Sequence, residues 1–157
     1  MSQTIRVETE LPAEADRVWS AMKHPASFLY VCRGLLGWPS LAGRTDPLSE
    51  GESGSGWLLL FHVLPMHRHH IRIVRVDETE RTIETEEHGG LIRGWHHTLH
   101  VEPVAKGRSR YSDTVDIEAG GFTPVVATLS VAIYRYRQLR WRRLARKHLS
   151  RPAPPAG

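Results

Sequence analysis

Two residues on neighbouring candidate strands have the chemistry of a proton-transfer pair. Trp95, His97, Leu99 and Val101 alternate along one stretch, and Tyr111, Asp113, Val115 and Ile117 along the next, so each set shares one face of its strand. Both faces are mainly apolar and are expected to point inward. With a turn around Val104 to Gly107, His97 falls opposite or diagonal to Asp113, within side-chain reach. There the carboxylate would orient the imidazole for general acid/base work; the alternative is a buried pair that only satisfies itself.

Other chemistries find less support. His62, His67, His69, His70, His88, His96, His97 and His100 make the middle of the chain rich in histidine. His96 and His100 would lie ~13 Å apart on a strand, too far to share one metal ion. His67, His69 and His70 would converge only in an irregular turn, and no carboxylate or cysteine stands beside them at a recognised ligand spacing. No metal and no cofactor is therefore expected. Cys32 lies in a helical stretch without an assigned base, and no Gly-x-Ser-x-Gly elbow occurs. Gly51, Gly54 and Gly56 lack the lysine of a phosphate-binding loop and read as a flexible segment able to gate a pocket.

The elements that would carry these residues follow from periodicity. Ile5, Val7, Thr9 and Leu11 alternate with charged residues as a strand that Pro12 stops. Ala13 to His24 reads as a helix, and Ala26 to Cys32 as a second short one. The register from Gly34 to Gly56 is unreadable. Trp57 to Val63, His70 to Val76, Arg81 to Glu87, Leu91 to Val101 and Arg110 to Glu118 read as strands with short connections, which implies an antiparallel meander. Thr123 and Pro124 then suggest an N-cap and first helical residue. The helix they open runs to about His148, roughly 25 residues or ~37 Å. Leu129, Ile133, Tyr136, Arg140 and Leu144 share one broad face of it, expected to meet the sheet.

This order resembles the START/Bet v 1-like superfamily (SRPBCC, the polyketide cyclase/dehydrase and lipid-transport group). VETELPAEADRVWSAMKHPASF is similar to that group's opening strand, Pro-Ala turn and Val-Trp helix; EEHGGLIRGWHHTLHVEPVAKGRSRYSDTVDIEAG is similar to its late hairpin with a Tyr-x-Asp strand. The resemblance spans Ile5 to about Leu149. It implies an α+β helix-grip fold, a curved antiparallel sheet wrapped around a long C-terminal helix with two short helices after the first strand. It also implies a cavity between sheet and helix for a lipid, polyketide or similar molecule. The expected wall residues are Trp57, Phe61, Trp95, His97, Tyr111, Asp113, Leu129, Ile133, Tyr136 and Arg140, with Arg140 able to meet Asp113 or a ligand carboxylate. Fold does not choose among carrier, receptor and enzyme. The first reading is binding of a hydrophobic or aromatic small molecule; the alternative is a cyclase/dehydratase-like enzyme using His97 and Asp113.

Composition bounds these readings. The chain has 157 residues with 40% hydrophobic and 24% charged residues, enough apolar material for one packed domain, expected over residues 1–149. A disordered Pro-rich tail is expected over residues 150–157. The single cysteine excludes an intramolecular disulfide and makes a reducing, cytoplasmic setting the expectation. No apolar run approaches the ~20 residues that span a bilayer. Arg135, Arg137, Arg140, Arg142, Arg143, Arg146 and Lys147 carry seven positive charges, so the net +4 leaves the remainder at −3. That concentration raises a third reading, docking of RNA, a ribosome or an anionic partner on the basic helix. The same helix must also bury an apolar face, which disfavours nucleic acid as a partner.

Overall fold

A computed structural model describes residues 1–150. Alternation of apolar and charged residues makes β1, Ser2–Leu11, which turns Ile5, Val7 and Leu11 inward. Helices α1, Ala15–Met22, and α2, Pro25–Cys32, follow; Ala15, Val18, Trp19 and Met22 recur at helical spacing and are all buried. The Trp19 indole N–H also donates to Glu78, 2.6 Å away, fastening α1 to the hairpin turn that follows Asp77. The unreadable segment contains a two-residue strand, β2, Leu36–Gly37, and a single 3-10 turn at Pro39–Leu41.

Five longer strands complete the sheet: β3, Ser53–Leu60; β4, Leu64–Asp77; β5, Thr82–Gly89; β6, Ile92–Ala105; and β7, Arg108–Glu118. Every pairing is antiparallel, in the order β1-β7-β6-β5-β4-β3-β2. The first strand thus closes on the last, and the rest form the expected meander. Register shifts at Leu58/Leu59, Ile73/Arg75, Glu87/Gly89 and Pro103/Ala105 bend successive strands. Such bulges increase local twist, and they curl this sheet into a half-barrel. The strand expected to run to Val63 stops at Leu60, because Phe61 and His62 adopt left-handed backbone in the hairpin turn (φ 52° and 64°).

The half-barrel grips α3, Thr123–Leu144, which continues as a π-helical turn at Ala145–Leu149. Thr123 is the first residue of the helix rather than its side-chain cap. Its hydroxyl donates to the Gly120 carbonyl at 2.7 Å and accepts the Ala119 N–H at 3.0 Å, tying the helix start to the end of β7. Apart from Ser150, the expected tail lies outside the described residues. None of the described helices is long and apolar enough to cross a membrane.

The buried face of α3 corrects the sequence reading. Ala127, Ser130, Tyr134, Arg137, Gln138, Trp141 and Leu144 point inward, whereas Leu129 is 60% exposed. Except at Leu144, the inward stripe lies one residue beyond the expected one, about 100° around the axis at 3.6 residues per turn. Hydropathy selected Leu129, Ile133 and Tyr136 because the true stripe carries Ser130, Arg137 and Gln138. Of those polar residues, Gln138 donates to Asp113 on the sheet and Ser130 donates to the Val126 carbonyl of its own helix.

Candidate functional site

The sheet divides its core around a polar knot. One apolar cluster, including Leu11, Val18, Val31, Ile83, Val101, Tyr111 and Trp141, packs beneath α1, α2 and the end of α3. A second, including Ile5, Val7, Val115, Ile117, Ala127 and Tyr134, lies beneath the start of α3. Asp113 sits between Tyr111 and Val115 on β7 and is completely buried.

His97 reaches Asp113 diagonally, since its direct partner across the β6–β7 pair is Val115. Its Nε2 lies 2.9 Å from the carboxylate. Asp113 also accepts the Tyr111 hydroxyl at 2.8 Å and the Gln138 amide at 3.2 Å. Burial alone would push the Asp113 carboxyl up, but the His97 hydrogen bond, the Arg137 charge and the remaining donors hold it below its ordinary value. The other His97 nitrogen, Nδ1, lies 3.4 Å from the Tyr134 hydroxyl and 4.0 Å from Glu87 Oε1. Burial, and then neighbouring charges that include Asp113, raises both tyrosines well above the ordinary phenol range, so each remains a neutral donor.

Glu87 extends the knot toward β4. It accepts the Thr85 hydroxyl at 2.7 Å and pairs with His69 Nε2 at 2.8 Å, while His69 Nδ1 meets His67 Nε2 at 3.1 Å. Burial opposes the Glu87 charge, but His69, His97 and Thr85 hold the carboxyl below its ordinary range. Burial, helped by the His69 charge, lowers His67. These histidines meet along a regular strand rather than in an irregular turn, and the carboxylate beside them comes from β5. Residues at i and i+2 of β4 share a face, and Glu87 stands across from Ile71 on that same face. The contacts form a hydrogen-bonded row; no group of three or more potential metal ligands converges among the described residues.

Above this row lies a cavity of about 770 Å³ between the sheet and α3. Apolar walls come from residues including Phe28, Leu36, Trp38, Ile71, Ile73, Leu99 and Trp141, and His67, His69, Glu87, His97, Tyr134 and Arg137 supply its polar band. Of the expected wall residues, Trp95, His97, Leu129 and Ile133 border it. Tyr111 and Asp113 lie beneath the wall, fully buried against their neighbours.

Four expected residues lie elsewhere. Trp57 is 53% exposed because Leu58 occupies the inward position of that alternation, and Phe61 is 55% exposed at the hairpin tip. The Tyr136 hydroxyl donates to the Arg33 carbonyl at 2.6 Å. Arg140 stacks over Tyr30 and donates to its carbonyl at 3.1 Å, meeting neither Asp113 nor the cavity. Both follow from the one-residue offset of the helix stripe, which instead places Tyr134, Arg137 and Trp141 inward.

The basic run is therefore divided. Arg137 is buried, Arg140 clamps α2, and Arg142, Arg143, Arg146 and Lys147 remain exposed near the helix end, where cations complement its dipole. Burial raises the Cys32 thiol pKa despite the opposing Arg137 charge, leaving a neutral thiol rather than a nucleophile. Sequence reasoning missed Glu87, Tyr134 and Arg137 as cavity residues. A glutamate at the inward position of the Ile83, Thr85, Glu87 alternation was the available signal for the first.

A curled antiparallel sheet gripping one long helix defines the START/Bet v 1-like helix-grip fold. The chain belongs to the domain of unknown function family DUF8410, which matches residues 9–148. Norcoclaurine synthase from Thalictrum flavum, solved in complex with dopamine and hydroxybenzaldehyde, is similar in structure. It has a TM-score of 0.70 at 17% identity, with 94% of this chain and 88% of that chain covered. A START superfamily protein from Mycobacterium smegmatis gives 0.69 at 13% identity, covering 92% and 97% of the respective chains. A protein from Chromobacterium violaceum gives 0.71 at 15% identity, covering 90% and 96%. These likenesses show the fold. No curated protein matches the chain.

Proposed function

We propose that this protein binds a hydrophobic or aromatic small molecule between its sheet and α3. The cavity of about 770 Å³ carries this reading. Small-molecule pockets are typically about 300–1,000 Å³, mainly apolar, with a few polar groups that orient the ligand. The fold shared with norcoclaurine synthase, whose structure holds two aromatic compounds, supports the same class of occupant.

Native mass spectrometry of the freshly purified protein is expected to reveal a co-purified molecule. Titration with methyl naphthoate, a neutral aromatic probe, is expected to change the intrinsic tryptophan fluorescence, to which the cavity residues Trp38, Trp95 and Trp141 contribute, saturably and with one-to-one stoichiometry. Absence of both a co-purified molecule and probe binding would overturn the reading.

A second reading, acid/base catalysis on the bound molecule, is favoured by the way His97 is held between Asp113 and Tyr134. Asp113 fixes the ring, and the neutral Tyr134 phenol can pass a proton between His97 and a ligand oxygen. The expected result is protein-accelerated exchange of the methyl protons of acetonaphthone in heavy water, slowed by about a hundredfold in His97→Gln. Exchange no faster than in buffer would leave binding as the function.

A further inference from the structure

We infer that Arg137 docks a carboxylate on the cavity's ligand, making an apolar or aromatic carboxylic acid the preferred class of occupant. This rests on the pocket reading and narrows it. Arg137 is only 6% exposed and borders the cavity. Its guanidinium sits between two wall aromatics, with Cζ 5.4 Å from the Phe28 ring and 4.8 Å from the Tyr134 ring. Its Nε has no hydrogen-bond partner among the described residues, and the side chain pairs with no described carboxylate. Arg44, the other arginine on the cavity wall, is paired with Glu52.

Buried charges are ordinarily paired, and an uncompensated one is costly. Aromatic faces recover part of that cost, but they leave the planar fork of donors unused. Asp113, whose charge acts on Arg137 without a hydrogen bond between them, and Glu87, which lines the same cavity, have other hydrogen-bond partners. Asp113 accepts from His97, Tyr111 and Gln138, and Glu87 from His69 and Thr85. A ligand carboxylate would meet the fork bidentately, the geometry for which guanidinium is suited and ammonium is not. Phe28 and Tyr134 would flank the head group, and the apolar walls would take the ligand's body.

The test compares naphthoate with methyl naphthoate at neutral pH, by calorimetry or fluorescence, on the wild type, Arg137→Met and Arg137→Lys. Hydrogen bonds to charged groups make an acid preference of about tenfold or more the expected result. Arg137→Met is expected to abolish that preference, read as the ratio of acid to ester affinity within the same variant. Arg137→Lys keeps the charge but not the fork, so it is expected to retain only part of the preference, and it carries the test if the Met variant fails to fold. Equal affinity of the wild type for acid and ester, or a preference that survives Arg137→Met, would overturn the Arg137 inference and leave the pocket reading standing. Failure of both probes to bind the wild type would overturn the two together.

Discussion

Replacing Asp113 by Ala is expected to destabilise the fold by about 3–5 kcal/mol, the usual cost of removing one partner from a buried charged pair. Three donors, on His97, Tyr111 and Gln138, would lose their acceptor at once in a fully buried site. Domains of this kind have a total stability of about 5–15 kcal/mol, so urea denaturation should show a clearly lower midpoint with an unchanged slope. Asp116→Ala, on the exposed face of the same strand and with its side chain bonded only to Thr4 among the described residues, is expected to cost under about 1 kcal/mol. Comparable losses in the two variants would show that the buried knot is not a main support of the fold.

The same site sets an acid limit. Asp113 and Glu87 are both held below their ordinary carboxyl pKa in the folded chain. A carboxyl with a lower pKa in the folded than in the unfolded state stabilises the fold while ionised. That contribution is complete above the ordinary carboxylate range, about pH 4, and is lost as pH falls through the lower folded values. Asp113→Asn, measured between roughly pH 6 and pH 2, should therefore show a shallower acid decline than the wild type. Parallel declines would place the acid sensitivity elsewhere.

Trp141→Ala is expected to cost about 3–5 kcal/mol, as large-to-small changes at buried aromatic positions do. Trp141 is buried against Tyr111, with ring centroids 5.2 Å apart, and also borders the cavity. Leu129→Ala removes an apolar side chain that is 60% exposed and should stay within about 0.5 kcal/mol. The pair reads the orientation of α3 directly. If Leu129 proved the costlier position, the inward stripe would be the one that hydropathy suggested.

How far the molecule was legible depended on the kind of pattern. The β6 and β7 alternation is strict, and a short turn joins the strands, so period and loop length put His97 opposite or diagonal to Asp113, and the register decided for the diagonal. On α3 the inward stripe contains Ser130, Arg137 and Gln138, and a polar residue on a buried face is invisible to a hydropathy count. The approach of Glu87 to His69 depended on the register of β4 against β5, which crosses a bulge at Ile73/Arg75 that no local signal announced.

The sequence by itself determined the order of the main elements, the antiparallel meander, the long closing helix and that His97 and Asp113 share the inward face of neighbouring strands, because these rest on local periodicity and short connections. Tertiary structure alone decided which face of α3 turns inward, hence that Arg137 rather than Arg140 reaches the cavity. It also decided that His67, His69 and Glu87 join one polar wall. A buried acid on the sheet selects its partners across space, and side chains on separate strands meet only once register and curvature are set.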